Sequence, residues 1–188
     1  MAIVQRFFST ASAGTGTGDS WANRAQLHNA GTWSTVITGF AFNGADSLQC
    51  FVGPGTHTIT TNPMASGLFA NPPTNANPIL FCGCDSSGVL LAITDPDWLS
   101  CQPAWDDSTL PVIATTTNIA TSSLATAIWY LIKFTASGKT GGGVLTSSQS
   151  MDWCVVSNTT ANTSAIAVVS TRLYSCVLKC SGTSYDTV

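Results

Sequence analysis

The chain has 188 residues, a net charge of −3 and 8% charged residues, long enough for one domain with a real core. Its six Lys and Arg are scattered singly, which excludes the basic footprint of a nucleic-acid binder and the basic face of a membrane-surface helix. There is no Glu, while Ser and Thr together number 49, a balance that favours strands over helices.

The opening, MAIVQRFFSTASAGTG, has no charged region followed by a long apolar stretch. It is therefore not read as a secretory signal, and assembly in the cytosol is expected. Within it, Ile3, Val4, Phe7 and Phe8 are candidate contacts to a larger particle. GTGTG (14–18) lacks the preceding strand of a dinucleotide fold and reads as a flexible turn. Asp19 or Ser20 then caps a predicted helix through WANRAQLHNA (21–30), which Gly31 ends. Such a helix would cover the open edge of the first strands.

From residue 48 the pattern turns to strands. LQCFVGPGTHTIT reads as a strand, a Gly-Pro-Gly turn and a second strand. PILFCGCDSSG is a strand ending in a polar turn, and LPVIATTT is another strand. Between them, TNPMASGLFANPPTNANP and TDPDWLSCQPAWDDST are loops; seven of the eight prolines lie between 54 and 103. The longest apolar run, AIWYLI (127–132), falls far short of the roughly 20 residues that cross a bilayer.

AIWYLIKF (127–134), MDWCVVSN (151–158) and LYSCVLKC (173–180) read as one unit written three times. Aligning Trp129, Trp153 and Ser175 gives offsets of 24 and 22 residues. Tyr130/Cys154/Cys176, Ile132/Val156/Leu178 and Phe134/Asn158/Cys180 then form the expected buried face. The opposite face carries Trp129, Leu131, Trp153, Val155 and Val177, an apolar stripe that needs a cover. Either the linkers fold over it or it is a subunit interface. Self-similarity at this period, without helical periodicity, predicts an all-β fold, a single-stranded parallel β-helix. The expected division is a contact and capping segment at 1–47 with a short helix, and stacked coils over 48–188. SGTSYDTV (181–188) follows a strand without a covering element, so either a longer chain or another subunit is expected to cover that end.

GTGTGDSWANRAQL, followed by DSLQCFVGPGTHTI, resembles the start of right-handed parallel β-helix proteins of bacteriophage virions. Those proteins open with a Gly-rich turn, a GxSWANA-like helix and a V-x-x-G-x-Y first coil. Thr56-His57 stands here where the family has Thr-Tyr. The resemblance covers about the first 60 residues as motifs and 127–180 as pattern. It implies a right-handed β-helix serving as a capsid decoration or cement knob, a tailspike, or a polysaccharide lyase or hydrolase.

Little here points to chemistry. The seven cysteines (50, 82, 84, 101, 154, 176, 180) are an odd number, spread widely, and read as reduced, buried apolar residues. Cys82 and Cys84 place two thiols on one strand face with no second pair nearby, so no metal is expected. Asp95, Asp97, Asp106 and Asp107 share one loop region and are the candidate carboxyl pair of a glycosidase, but DPD and DDS are also ordinary turn sequences. SGKTGGG (137–143) lacks the Gly that a phosphate loop requires at position 133, which is Lys.

The leading expectation is a non-enzymatic virion protein without cofactors: a homotrimeric capsid decoration or cement protein whose partners are itself and the major capsid protein, with no nucleic-acid or membrane partner. The alternative is the N-terminal part of a tailspike or fibre adhesin, holding host glycan at Asp97, Trp98 and Trp105. A lyase or hydrolase comes third.

Overall fold

The computed structural model describes residues 3–27, 36–37, 40, 46–59, 73–92, 108–115, 126–136, 145–158, 168–174 and 176–180. Alternating apolar and Ser/Thr positions fit a pleated backbone with one dry face. Among the described residues the twelve elements are all strands: β1 (Ile3–Ser9), β2 (Ala25–Gln26), β3 (Ser47–Val52), β4 (Thr56–Ile59), β5 (Ile79–Gly83), β6 (Val112–Thr115), β7 (Ala127–Tyr130), β8 (Lys133–Ala136), β9 (Leu145–Asp152), β10 (Val155–Asn158), β11 (Val168–Tyr174) and β12 (Val177–Cys180). They form two sheets, ordered β11-β9-β7-β5-β3-β1-β2 and β12-β10-β8-β6-β4. Every pairing between these strands is parallel.

This corrects the fold expected from the sequence. A right-handed single-stranded β-helix with a helical cap is not what forms. Of the stretch read as a capping helix, 21–27 form a turn at Ala22–Asn23 followed by β2 and 28–30 lie outside the described residues; helical backbone is described only at Val36 and Ile37. At the N-terminal edge β1 lies between β2 and β3, so strand order does not follow chain order as successive coils would. Two open parallel sheets linked by crossovers are closer to the sheets of α/β proteins than to uniform coils. The physical reason lies near Gly18, whose positive φ of 72° and N–H bond to the Asn23 carbonyl (2.7 Å) tighten the turn. The chain is thereby returned alongside β1 before a helical turn can propagate. GTGTG is indeed a turn, with positive φ at Gly14, Gly16 and Gly18, but a strand, β1, does precede it.

The three similar segments are each two strands joined by a corner, one strand in each sheet. Leu131 and Trp153 occupy these corners with a left-handed φ of 56°, a conformation that costs a non-glycine residue about 1–3 kcal/mol and persists only where surroundings hold it. The Leu131 N–H donates to the Asp152 carbonyl (3.2 Å) and the Trp153 N–H to the Tyr174 carbonyl (2.9 Å). Each corner thus hangs on the next. Pairing matches Trp129 with Met151 and Phe134 with Val156, so Leu131 lies level with Trp153. The true offset is 22 residues at both steps, not 24 and then 22.

A left-handed corner also reverses which alternate residues face inward. Ala127 and Trp129 point into the core before the Leu131 corner; Ile132 and Phe134 do so after it. The core is built from Phe8, Cys50, Phe81, Trp129 and Met151 on the larger sheet and Ile113, Phe134 and Val156 on the smaller. Trp129 stacks on Phe81 (4.2 Å between centroids) and meets Phe134 edge-on across the sheets (5.1 Å). Burying each such side chain contributes about 1.5–3 kcal/mol. Leu27 and Ile37 join the same cluster.

Candidate functional site

The outer face of the larger sheet carries one continuous row across six strands. Register places Phe7, Phe51, Cys82, Tyr130, Asp152 and Tyr174 side by side. Its N-terminal half is sealed by the chain itself. Phe7 stacks on Phe51 (5.0 Å) and Trp21 meets Phe7 edge-on (6.4 Å). Trp21 lies so close over Gly53 and Gly88 that a Cβ there would meet its ring at 2.5 and 3.0 Å. Arg24 sits over the Trp21 ring (5.1 Å) and bonds the Trp21 carbonyl (3.1 Å) and Ser9 Oγ (3.1 Å).

The C-terminal half of the row is open. Tyr174 is 56% exposed and meets half-buried Trp153 edge-on at 5.9 Å. Beside them Arg172 reaches Asp152 with one guanidinium nitrogen, at 3.0 Å to Oδ2 and 3.3 Å to Oδ1. Leu91, Tyr130 and Trp153 all pack against the buried cluster of Leu110, Leu131 and Val155. The turn before Leu91 is held by Asp85 Oδ1, which accepts from the Ser87 (2.8 Å) and Val89 (3.0 Å) N–H groups. That turn presents Val89 and Leu90, 62% and 43% exposed. Corner and row together make an aromatic platform with one ion pair. Such a surface suits another protein's side chains or the face of a sugar ring.

The positions singled out from the sequence fare unevenly. Trp129, Leu131 and Val155 are buried within the chain. The corner parity turns Trp129 inward, and Leu110, Leu91, Tyr130 and Trp153 cover the other two. Trp153 does reach the surface platform, and Val177 lies on the edge strand β12. Of the particle contacts, Ile3 is 65% exposed, Val4 and Phe7 are half-buried, and Phe8 is fully buried in the core. These four residues belong to β1, inside the larger sheet. Asp97, Trp98 and Trp105 lie outside the described residues, as do Asp95, Asp106 and Asp107. Tyr174 and Arg172 were missed from the sequence. The signal for Tyr174 was the third repeat, whose strand β11 ends the sheet order among the described residues.

Thiol and metal chemistry finds little footing on this face. Burial pushes Cys82 up to about 11 and Cys84 up to about 12, so both stay protonated near neutrality. Among the described residues no group of three or more His, Cys or Asp side chains could hold a metal ion, and no helix is long and apolar enough to cross a membrane. His57 is buried, its Nε2 2.8 Å from the Gly53 carbonyl. No family model matches the chain, and no curated protein and no solved structure is significantly similar to it.

Proposed function

We propose that this chain is a non-catalytic structural protein that assembles with copies of itself, as a homotrimeric decoration subunit of a bacteriophage shell. The observation that carries assembly is the open aromatic corner: Trp153 packed edge-on against Tyr174, which is 56% exposed. With 8% charged residues in the whole chain, such a surface gains most by being covered. The phage setting rests on the resemblance of the opening segment to virion proteins. Immunogold labelling of intact particles tests the setting: label spread over the shell is expected, and particles without label would end it.

A second reading has its own observation. Tyr174, Trp153, Asp152 and Arg172 combine an aromatic face with charged donors and acceptors, the chemistry that holds a sugar ring. A tail adhesin would use this corner for host glycan. Binding on a glycan array that Tyr174→Ala abolishes supports this reading, and an array without signal removes it.

A further inference from the structure

We propose that Cys154 and Cys176 form a redox modification site, an oxidisable dithiol that fastens edge strand β12 to β10. The inference does not depend on the assembly role. Both cysteines occupy equivalent corner positions, each immediately before a strand whose partner is fixed: Val155 pairs with Val177, and two residues upstream of the cysteines Asp152 pairs with Tyr174. Register is therefore held on both sides of the pair. Neighbouring strands run about 4.8 Å apart, inside the Cα separation of about 4.4–6.8 Å that a disulfide tolerates. Cys176 packs against the buried cluster that contains Cys154. Cys176 Sγ also lies 3.1 Å from the Met151 carbonyl, and Cys154 Sγ 3.5 Å from the Asp152 carbonyl.

The two sulfurs differ in reach and acidity. Cys176 is half-buried while Cys154 is fully buried. The hydrogen bond from Cys154 holds the Cys176 thiol below the ordinary range; burial pushes Cys154 above it. Cys176 is thus the attacking thiolate and Cys154 the resolving one. With a low-molecular-weight disulfide as oxidant, the Cys176 thiolate attacks one of its sulfurs, breaks the S–S bond and releases one thiolate. Cys154 then loses its proton and attacks Cys176 Sγ, releasing the second thiolate. The protein gains one disulfide and loses two protons and two electrons, and the oxidant becomes two thiols. The remaining described cysteines offer no such pair across strands. Cys50 aligns with Phe81 on the inner face, whereas Cys82 aligns with Phe51 on the outer.

The test treats the reduced, folded protein with oxidised glutathione, blocks free thiols with N-ethylmaleimide, and maps peptides without reduction. The expected product joins the Cys154 and Cys176 peptides and retains no glutathione. Cys154→Ser should instead keep one glutathione on Cys176, and Cys176→Ser should take none at Cys154. A stable glutathione adduct on Cys176 of the unaltered chain, no reaction at either cysteine, or a bond from either one to a different cysteine would each overturn the proposal.

Discussion

Phe81 and Trp129 stack at 4.2 Å, nearly parallel at 16°, on neighbouring strands inside the molecule. The stack fixes the register of β5 against β7 and joins the sheets through the Phe134 edge contact. Trp129→Ala should therefore cost about 3–5 kcal/mol. Trp129→Phe should cost clearly less, because Trp129 Nε1 has no hydrogen-bond partner among the described residues and only packing is reduced. Chemical denaturation of both variants checks this. An alanine variant with the midpoint of the parent chain would place Trp129 outside the core.

A close backbone approach sets a second expectation. A Cβ on Gly83 would lie 2.2 Å from the Leu131 carbonyl oxygen, and that oxygen belongs to a corner that cannot shift freely. Gly83→Ala should lose more than about 2 kcal/mol, visible as a lowered melting temperature. At Gly16 a Cβ would meet nothing nearer than 3.7 Å, so Gly16→Ala should be limited to the smaller cost of its left-handed φ of 69°.

Val156 is fully buried between Phe134 and Leu178 in the smaller sheet. Val156→Asp would place a carboxylate there with no cationic side chain in the surrounding cluster, at a cost of roughly 4 kcal/mol or more. Loss of cooperative unfolding, or of soluble protein, is the expected result. A variant melting within a degree of the parent would contradict the register.

Stability should also fall in base. Burial raises Cys82 to about 11 and Cys84 to about 12 from 9.0. The fold prefers their protonated forms, so this contribution is complete below pH 9 and is lost as pH rises through 11 and beyond. Cys176, whose thiol is lowered, works in the opposite sense over the range just below 9. Urea midpoints measured from pH 8 to 11 should decline above 9, and Cys82→Ala should flatten the decline. A profile that rises across this range would contradict the burial of these thiols.

Much of the strand pattern was legible from period-2 alternation: LQCFV, THTI, ILFCG and VIAT lie in strands, and each of the three repeated segments holds parts of two. The corners were not legible. Nothing in the letters Leu131 or Trp153 announces a left-handed residue, since Gly or Asn is the usual occupant. Reading each segment as one unbroken strand put Tyr130 inside and Trp129 outside, the reverse of what forms. The same blind spot turned buried Trp129 and Val155 into interface candidates. Over 21–27 the predicted helix gives way for a local reason: Asp19, bonded by Asn23 Nδ2 (3.0 Å) and Ser20 Oγ (3.1 Å), caps a tight turn rather than a helix. Of the surface platform only Trp153 was foreseen, because exposure of Tyr174 depends on sheet order, which no local pattern contains.

The most direct measurement is the mass of the chain in solution by light scattering, for the parent and for Trp153→Asn with Tyr174→Ser. Asparagine tolerates the left-handed backbone at the corner, so the altered chain should remain folded while losing the aromatic platform. Assembly through this corner predicts the mass of three chains for the parent and of one for the altered chain. A single-chain mass for the parent at micromolar concentration, or three chains for both, would contradict the account.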